Sequence, residues 1–198
     1  MSARISQWSS RVDTRNKDLQ IRKTSLYYIS NKKEVFTIKI LAFDQALIKT
    51  GVCTLDGDTV YHSLIDLSKV KDADERRAIM RQMIQSRIKT NNPDLVVIED
   101  VALQASAKTV IQLAQLQGAI IGACELFNIP YEILKPTEWR KELGFKQGRQ
   151  VKRPELKQQA IDYVAKNYGE VVSSDEADAM CIAKATRLRL ENKITQED

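Results

Sequence analysis

Thr37-Ile38-Lys39-Ile40-Leu41-Ala42-Phe43-Asp44 is the stretch on which the fold turns. Seven residues read as a largely buried strand, and the eighth is a carboxylate. A charge at the end of a buried strand costs free energy unless it is paired or holds a cation. Asp94-Leu95-Val96-Val97-Ile98-Glu99-Asp100 repeats the pattern. Its core, Leu95–Ile98, has no polar break, as in a strand covered on both faces. If the two strands are parallel neighbours, Asp44 and Glu99 reach the same edge of one sheet.

The surrounding pattern predicts that sheet. Gly51–Leu55 reads as a second strand and Thr59–Asp66 as a third, joined by the turn Asp56-Gly57-Asp58. Short connections make these an antiparallel meander. Asp72-Ala73-Asp74 opens a helix whose Ile79, Met80, Met83, Ile84 and Ile88 recur at helical spacing through Lys89. Ser106–Phe127 is a long helix with small residues at Gly118, Ala119, Gly122 and Ala123. Tyr131–Leu134 is a short strand, and Pro136 starts the short helix PTEWRKEL. A basic loop, Gly144–Lys152, leads to a helix from Pro154 to Tyr168-Gly169. Ser173 or Ser174 caps a last helix, from Asp175 to about Glu191. The order predicts an α/β fold with a mixed five-stranded sheet: three antiparallel strands, then a parallel βαβ part, flanked by helices.

Charge is unevenly spread. The chain of 198 residues has a formal charge of +5. Residues 1–35 hold eight Lys/Arg and three Asp/Glu, and the remaining 163 residues hold 23 of each sign. We read residues 1–35 as a basic N-terminal extension and 36–198 as one domain. Residues 135–157 carry eight basic and three acidic side chains. The rest of the body is therefore acidic, and an acidic site beside a basic loop suits a phosphodiester partner. Lys135, Arg140, Lys146, Arg149, Lys152, Arg153 and Lys157 are the candidate phosphate contacts. Cys53, Cys124 and Cys181 lie far apart without zinc-site spacing, which predicts buried, reduced thiols. His62, the only histidine, reads as a structural residue. No run is apolar enough for a membrane span, and no signal peptide is expected. The chain reads as cytoplasmic.

Asp175 and Asp178 are three residues apart at a helix start and share a face. The small Ala177 and Ala179 beside them let that helix lie close to the sheet. Four acids brought together repel unless a cation neutralises them. An all-oxygen set suits Mg²⁺, with Mn²⁺ as a substitute. Two such ions per site support in-line hydrolysis of a phosphodiester. Asp44 is expected to bridge them, with Glu99 and Asp178 or Asp175 completing the shells. Asp100 and Glu176 are left as solvated or supporting residues.

Four motifs in this order carry a resemblance: ILAFDQALIKTGV, DLVVIEDV, LAQLQGAIIGAC and DEADAMCIAKA. Between about Ile38 and Thr186 the chain resembles the RuvC family of Holliday junction resolvases, within the RNase H-like superfamily, nearest to phage-encoded members. The resemblance implies a homodimer that makes Mg²⁺-dependent paired nicks at a four-way DNA junction. It implies catalytic roles for Asp44, Glu99, Asp175 and Asp178. The family's lysine followed by glutamine looks matched by Lys157-Gln158, and its other basic residue falls near Arg140. The chain departs from bacterial members at Ala102, where an aromatic often stands. Gly144–Arg153 looks like an insertion, and the first 35 residues have no counterpart. Two other functions fit the same fold: a junction-binding protein that does not cut, and a nuclease acting on RNA or RNA–DNA hybrid.

Overall fold

A computed structural model describes residues 38–101 and 106–197, with side chains through residue 193. The basic extension 1–35 and the family's aromatic position, Ala102, lie outside the described residues. Five strands form one sheet: β1 (Ile40–Asp44), β2 (Lys49–Asp56), β3 (Thr59–Asp66), β4 (Leu95–Glu99) and β5 (Tyr131–Leu134). Their spatial order is β3-β2-β1-β4-β5. β1–β2 and β2–β3 pair antiparallel, and β1–β4 and β4–β5 pair parallel. The expected mixed sheet is thus present, with the two acid-tipped strands side by side.

The described helices are α1 (Ala73–Asn91), α2 (Ala107–Leu126), α3 (Pro136–Glu142), α4 (Arg153–Tyr168) and α5 (Ser174–Glu197). Asp72 caps α1 by accepting from the amides of Asp74 and Glu75, and Ser106 caps α2 by accepting from that of Thr109. Element ends differ from the sequence reading for local reasons. β1 begins later because the Lys39 amide donates to the Asp94 carboxylate, 2.9 Å away, rather than to a neighbouring strand. β2 begins earlier because the Thr50 hydroxyl closes the preceding turn on Ala46. α5 runs past Glu191 because no Gly or Pro follows to stop it.

Strand side chains alternate between two cores. Leu41, Phe43, Val96 and Ile98 pack against Met80, Ile84 and Ile88 of α1 and Leu116 and Ile120 of α2. Ile40, Ala42, Leu95 and Val97 pack against α4 and α5, through Ala160, Val164, Ala177, Met180 and Ala183. The same alternation puts Asp44 and Glu99 on the α5 side. All three cysteines are buried thiols, in keeping with the sequence expectation.

Gly51 fixes how closely α5 approaches. It pairs with Asp44 across β1 and β2. A Cβ at Gly51 would stand 1.8 Å from the carbonyl oxygen of Asp175. Only a residue without a side chain lets the start of α5 touch the sheet there. Gly51→Ala is therefore expected to cost about 3 kcal/mol or more, since the obstructing atom is backbone. That corresponds to a fall in Tm of roughly 6–12 °C for a domain of this size, measurable by thermal unfolding. An unchanged Tm would show that α5 moves away at no cost.

Candidate active site

β1 and β4 run in parallel register, with Phe43 beside Ile98. One residue further, each strand ends in its acid, so Asp44 and Glu99 are neighbours across the ladder. The start of α5 comes down on the same edge, over Gly51, and adds Asp175 and Asp178. Ala177 and Ala179 are fully buried, as close helix–sheet contact requires.

Capping of α5 falls to Ser173, not to Asp175. The Ser173 hydroxyl accepts from the Glu176 amide, and the Glu176 carboxylate accepts from the Ser173 amide, a reciprocal capping box. Asp175 is thereby left for other partners. Its Oδ1 accepts from Lys157 Nζ at 3.0 Å, and the same ammonium donates to Ser174 Oγ at 2.8 Å.

The electrostatics show that the acids converge. Burial holds Asp44 well above the ordinary carboxylate range, and the charges of Glu99, Asp178 and Asp175 push the same way against Lys157. Burial also raises Glu99; the Trp139 hydrogen bond, Arg140, a hydrogen bond with Asp44 and Arg153 oppose it. Asp178 is pushed up to about 7, first by burial and then by Glu99, with Arg140 and Lys157 opposing. The protein thus gathers carboxyl groups where it makes their ionisation difficult.

The donor set fits a hard divalent cation. All four groups are carboxylates, which favours Mg²⁺- or Mn²⁺-like ions over zinc. Asp178 Oδ1 is buried without a hydrogen-bond partner, an arrangement that a cation would relieve. Among the described residues no three acids already enclose a single point as ligands. One oxygen of Glu99 is engaged by Trp139 Nε1 at 2.9 Å, and Asp175 Oδ1 by Lys157 at 3.0 Å.

The predicted phosphate contacts divide into two groups. Lys157 pairs with Asp175, while Arg140 and Arg153 act on Glu99. Lys146, Arg149 and Lys152 are exposed on the loop between α3 and α4, and make no ion pair among the described residues. Lys135 precedes α3 and is likewise exposed. Trp139 is buried and also bonds Glu99. The sequence signal for this was a Trp on a helix directly after β5, the strand beside Glu99. Gln45 and Gln117 were not foreseen; their side-chain amides donate to the Glu99 carbonyl at 3.1 and 3.3 Å.

His62 engages none of the four acids. It pairs with Cys53 across β2 and β3 and lies between Glu176 (2.9 Å from Nδ1) and Glu170 (2.5 Å from Nε2). It therefore tacks the start of α5 to β3.

A mixed sheet in this order, with acids at its edge meeting the start of a helix, defines an RNase H-like fold bearing a carboxylate cluster suited to nuclease chemistry. Residues 40–185 match the family described as crossover junction endodeoxyribonuclease RuvC. The chain belongs to that family. The RuvC protein of Xanthomonas oryzae pv. oryzae is 28% identical over 151 residues, 73% of this chain and 84% of that protein. That of Brachyspira hyodysenteriae is 24% identical over 161 residues, 78% of this chain and 98% of that protein. Among solved structures, Thermus thermophilus RuvC in complex with a Holliday junction substrate has a TM-score of 0.61 at 13% identity. That likeness covers 78% of this chain and 95% of the other, and concerns the fold. Among the described residues no helix is long and apolar enough to cross a membrane.

The His62 contact has a pH signature. Burial lowers the His62 pKa, but the hydrogen bonds and charges of Glu176 and Glu170 outweigh it, so the net shift is upward. A raised folded-state pKa gives stability that is complete below the ordinary value near 6.5 and is lost as pH rises through the folded value. His62→Gln is expected to cost about 1.5–3 kcal/mol near pH 6, with a smaller cost at pH 9. Urea unfolding of both proteins at the two pH values checks this. A pH-independent difference would mean that His62 is held as the neutral ring.

Proposed function

We propose that the chain is a Holliday junction-resolving endonuclease that cuts by Mg²⁺-assisted hydrolysis, with Asp44, Glu99, Asp175 and Asp178 as its metal-holding residues. The observation that carries this reading is the convergence of four carboxylates, one with an unpartnered buried oxygen, at one sheet edge. Membership of the RuvC family supports the substrate. A protein that only bound junctions would gain nothing from clustered negative charge beside phosphates, which disfavours the non-cutting alternative.

Two bound Mg²⁺ would supply the positive charge against which the scissile phosphate and the attacking water are held. Asp44, Glu99, Asp178 and Asp175 would hold those ions, with Asp44 expected to be shared between them. Water adds to phosphorus as the bond to the 3′-oxygen breaks, leaving a 5′-phosphate and a 3′-hydroxyl. Lys157 and Arg140 face the acids and stabilise negative charge that grows beside them. Lys146, Arg149 and Lys152 grip the backbone of the DNA, joined by Arg153 and Lys135 at the margins. A homodimer places two such sites on one junction. We assign residues 36–198 to the nuclease domain and 1–35 to the basic extension. The place of action is the cytoplasm of a bacterial or phage-infected cell.

Asp44→Asn is expected to abolish cleavage of a synthetic four-way junction in Mg²⁺ while junction binding persists. One gel with a four-way junction, a flap, a linear duplex and an RNA–DNA hybrid reads both activity and substrate. Cutting by Asp44→Asn at the wild-type rate would show the metal site to be misassigned, and preference for the hybrid would favour RNA-directed activity. Replacing Lys146, Arg149 and Lys152 by Gln is expected to flatten the salt dependence of junction binding, by roughly 0.9 in log–log slope for each phosphate no longer neutralised. An unchanged slope would remove the loop from the interface.

A further inference from the structure

Trp139 is the largest fully buried side chain of the α4–α5 core. A buried indole N–H needs an acceptor, and here the acceptor is Oε1 of Glu99 at 2.9 Å. The other tethers at this point, from Gln45 and Gln117, reach only the Glu99 carbonyl. They hold the strand end and leave the side-chain torsions of Glu99 unrestrained. Trp139, by contrast, engages the carboxylate itself, at Oε1, and is its hydrogen-bond partner from outside the acid cluster, where Asp44 also bonds it.

The indole itself has little freedom. Phe145 meets it edge-on, with ring centroids 5.8 Å apart at 76°. The Arg140 guanidinium lies 4.7 Å over its ring. The Phe145 amide donates to the Arg140 carbonyl at 2.8 Å, closing the end of α3. The next residue, Lys146, is clasped at both its amide and its carbonyl by the Gln159 side chain of α4. The support of Glu99 and the root of the basic loop are therefore one packed unit.

We infer that Trp139 is a positioning residue for Glu99: its indole N–H presets the carboxylate for the divalent cation, and Phe145 ties that setting to the basic loop. This rests on the nuclease reading given above. A Trp that merely filled core volume would not need its N–H aimed at a carboxylate, and a Phe would serve the packing. Partners that orient a metal-holding group in this way alter metal affinity by 10–100-fold when removed.

Trp139→Phe keeps an aromatic ring and removes the N–H. Titration of Mn²⁺ into the full chain without DNA, followed by electron paramagnetic resonance, is expected to show binding about 10-fold weaker than wild type. Junction binding in EDTA is expected to stay unchanged. A second measurement leaves position 139 intact. In Trp8→Phe the sole remaining tryptophan is Trp139. Its emission is expected to change as Mg²⁺ is added, and Glu99→Gln is expected to abolish that change. Wild-type Mn²⁺ affinity in Trp139→Phe, or flat Trp139 emission in a chain that binds Mg²⁺, would overturn the inference. Asp44→Asn, titrated in parallel, separates the two levels. If it also keeps full Mn²⁺ affinity, the metal site itself is wrong; if only Trp139→Phe does, the fault lies with the role given to Trp139.

Discussion

Four carboxyl groups share one edge of the sheet, and burial there disfavours the charge of Asp44, Glu99 and Asp178. The charges of Glu99 and Asp175 push both Asp44 and Asp178 upward, and Asp178 adds to the push on Asp44. Such an arrangement persists only if opposite charge offsets it. Lys157, Arg140 and Arg153 supply part of that charge from the protein. The remainder is left to a ligand. A carboxylate oxygen buried without a partner marks the place where the compensation is incomplete.

Several features of the fold trace back to this constraint. The parallel pairing of β1 with β4 brings the first two acids together. The alternation of strand side chains turns both toward α5. Gly51 allows the start of α5 to reach the sheet beside Asp44, and buried alanines flank Asp178. Ser173 and Glu176 cap the helix, which spares Asp175 for the cluster. His62 holds that end from the far side through Glu170 and Glu176. Trp139 reaches Glu99 from the opposite flank.

Much of this was legible in the sequence. The apolar runs ending in Asp44 and Glu99 have a length and composition that mark buried strands, and their acids are conspicuous for that reason. The spacing of Asp175 and Asp178, with alanines between and after them, told of a helix start close against a sheet. Elements with sharp local punctuation, such as β3 after its Asp-Gly turn and α2 after Ser106, were bounded closely. The limits of β1 and β2 depend on side-chain bonds between residues far apart in sequence, Lys39 with Asp94, or on a turn closed by Thr50. The partners of the acids were the least legible part. Arg140, Arg153 and Lys157 look alike with Lys146 and Arg149 as a basic run. Only folding separates Arg140 and Lys157, half-buried beside the carboxylates, from Lys146 and Arg149, which stay exposed. Trp139 likewise shows its bulk in the sequence but not the direction of its N–H.

The central claim is that these four acids hold divalent cations at the sheet edge. Diffraction from crystals of the protein soaked in Mn²⁺, recorded at the manganese absorption edge, tests it directly. Anomalous peaks within coordination distance of Asp44, Glu99 and Asp178 are the predicted result, with Asp44 common to both where two appear. Saturating Mn²⁺ with no peak at this edge, or with peaks elsewhere only, would contradict it.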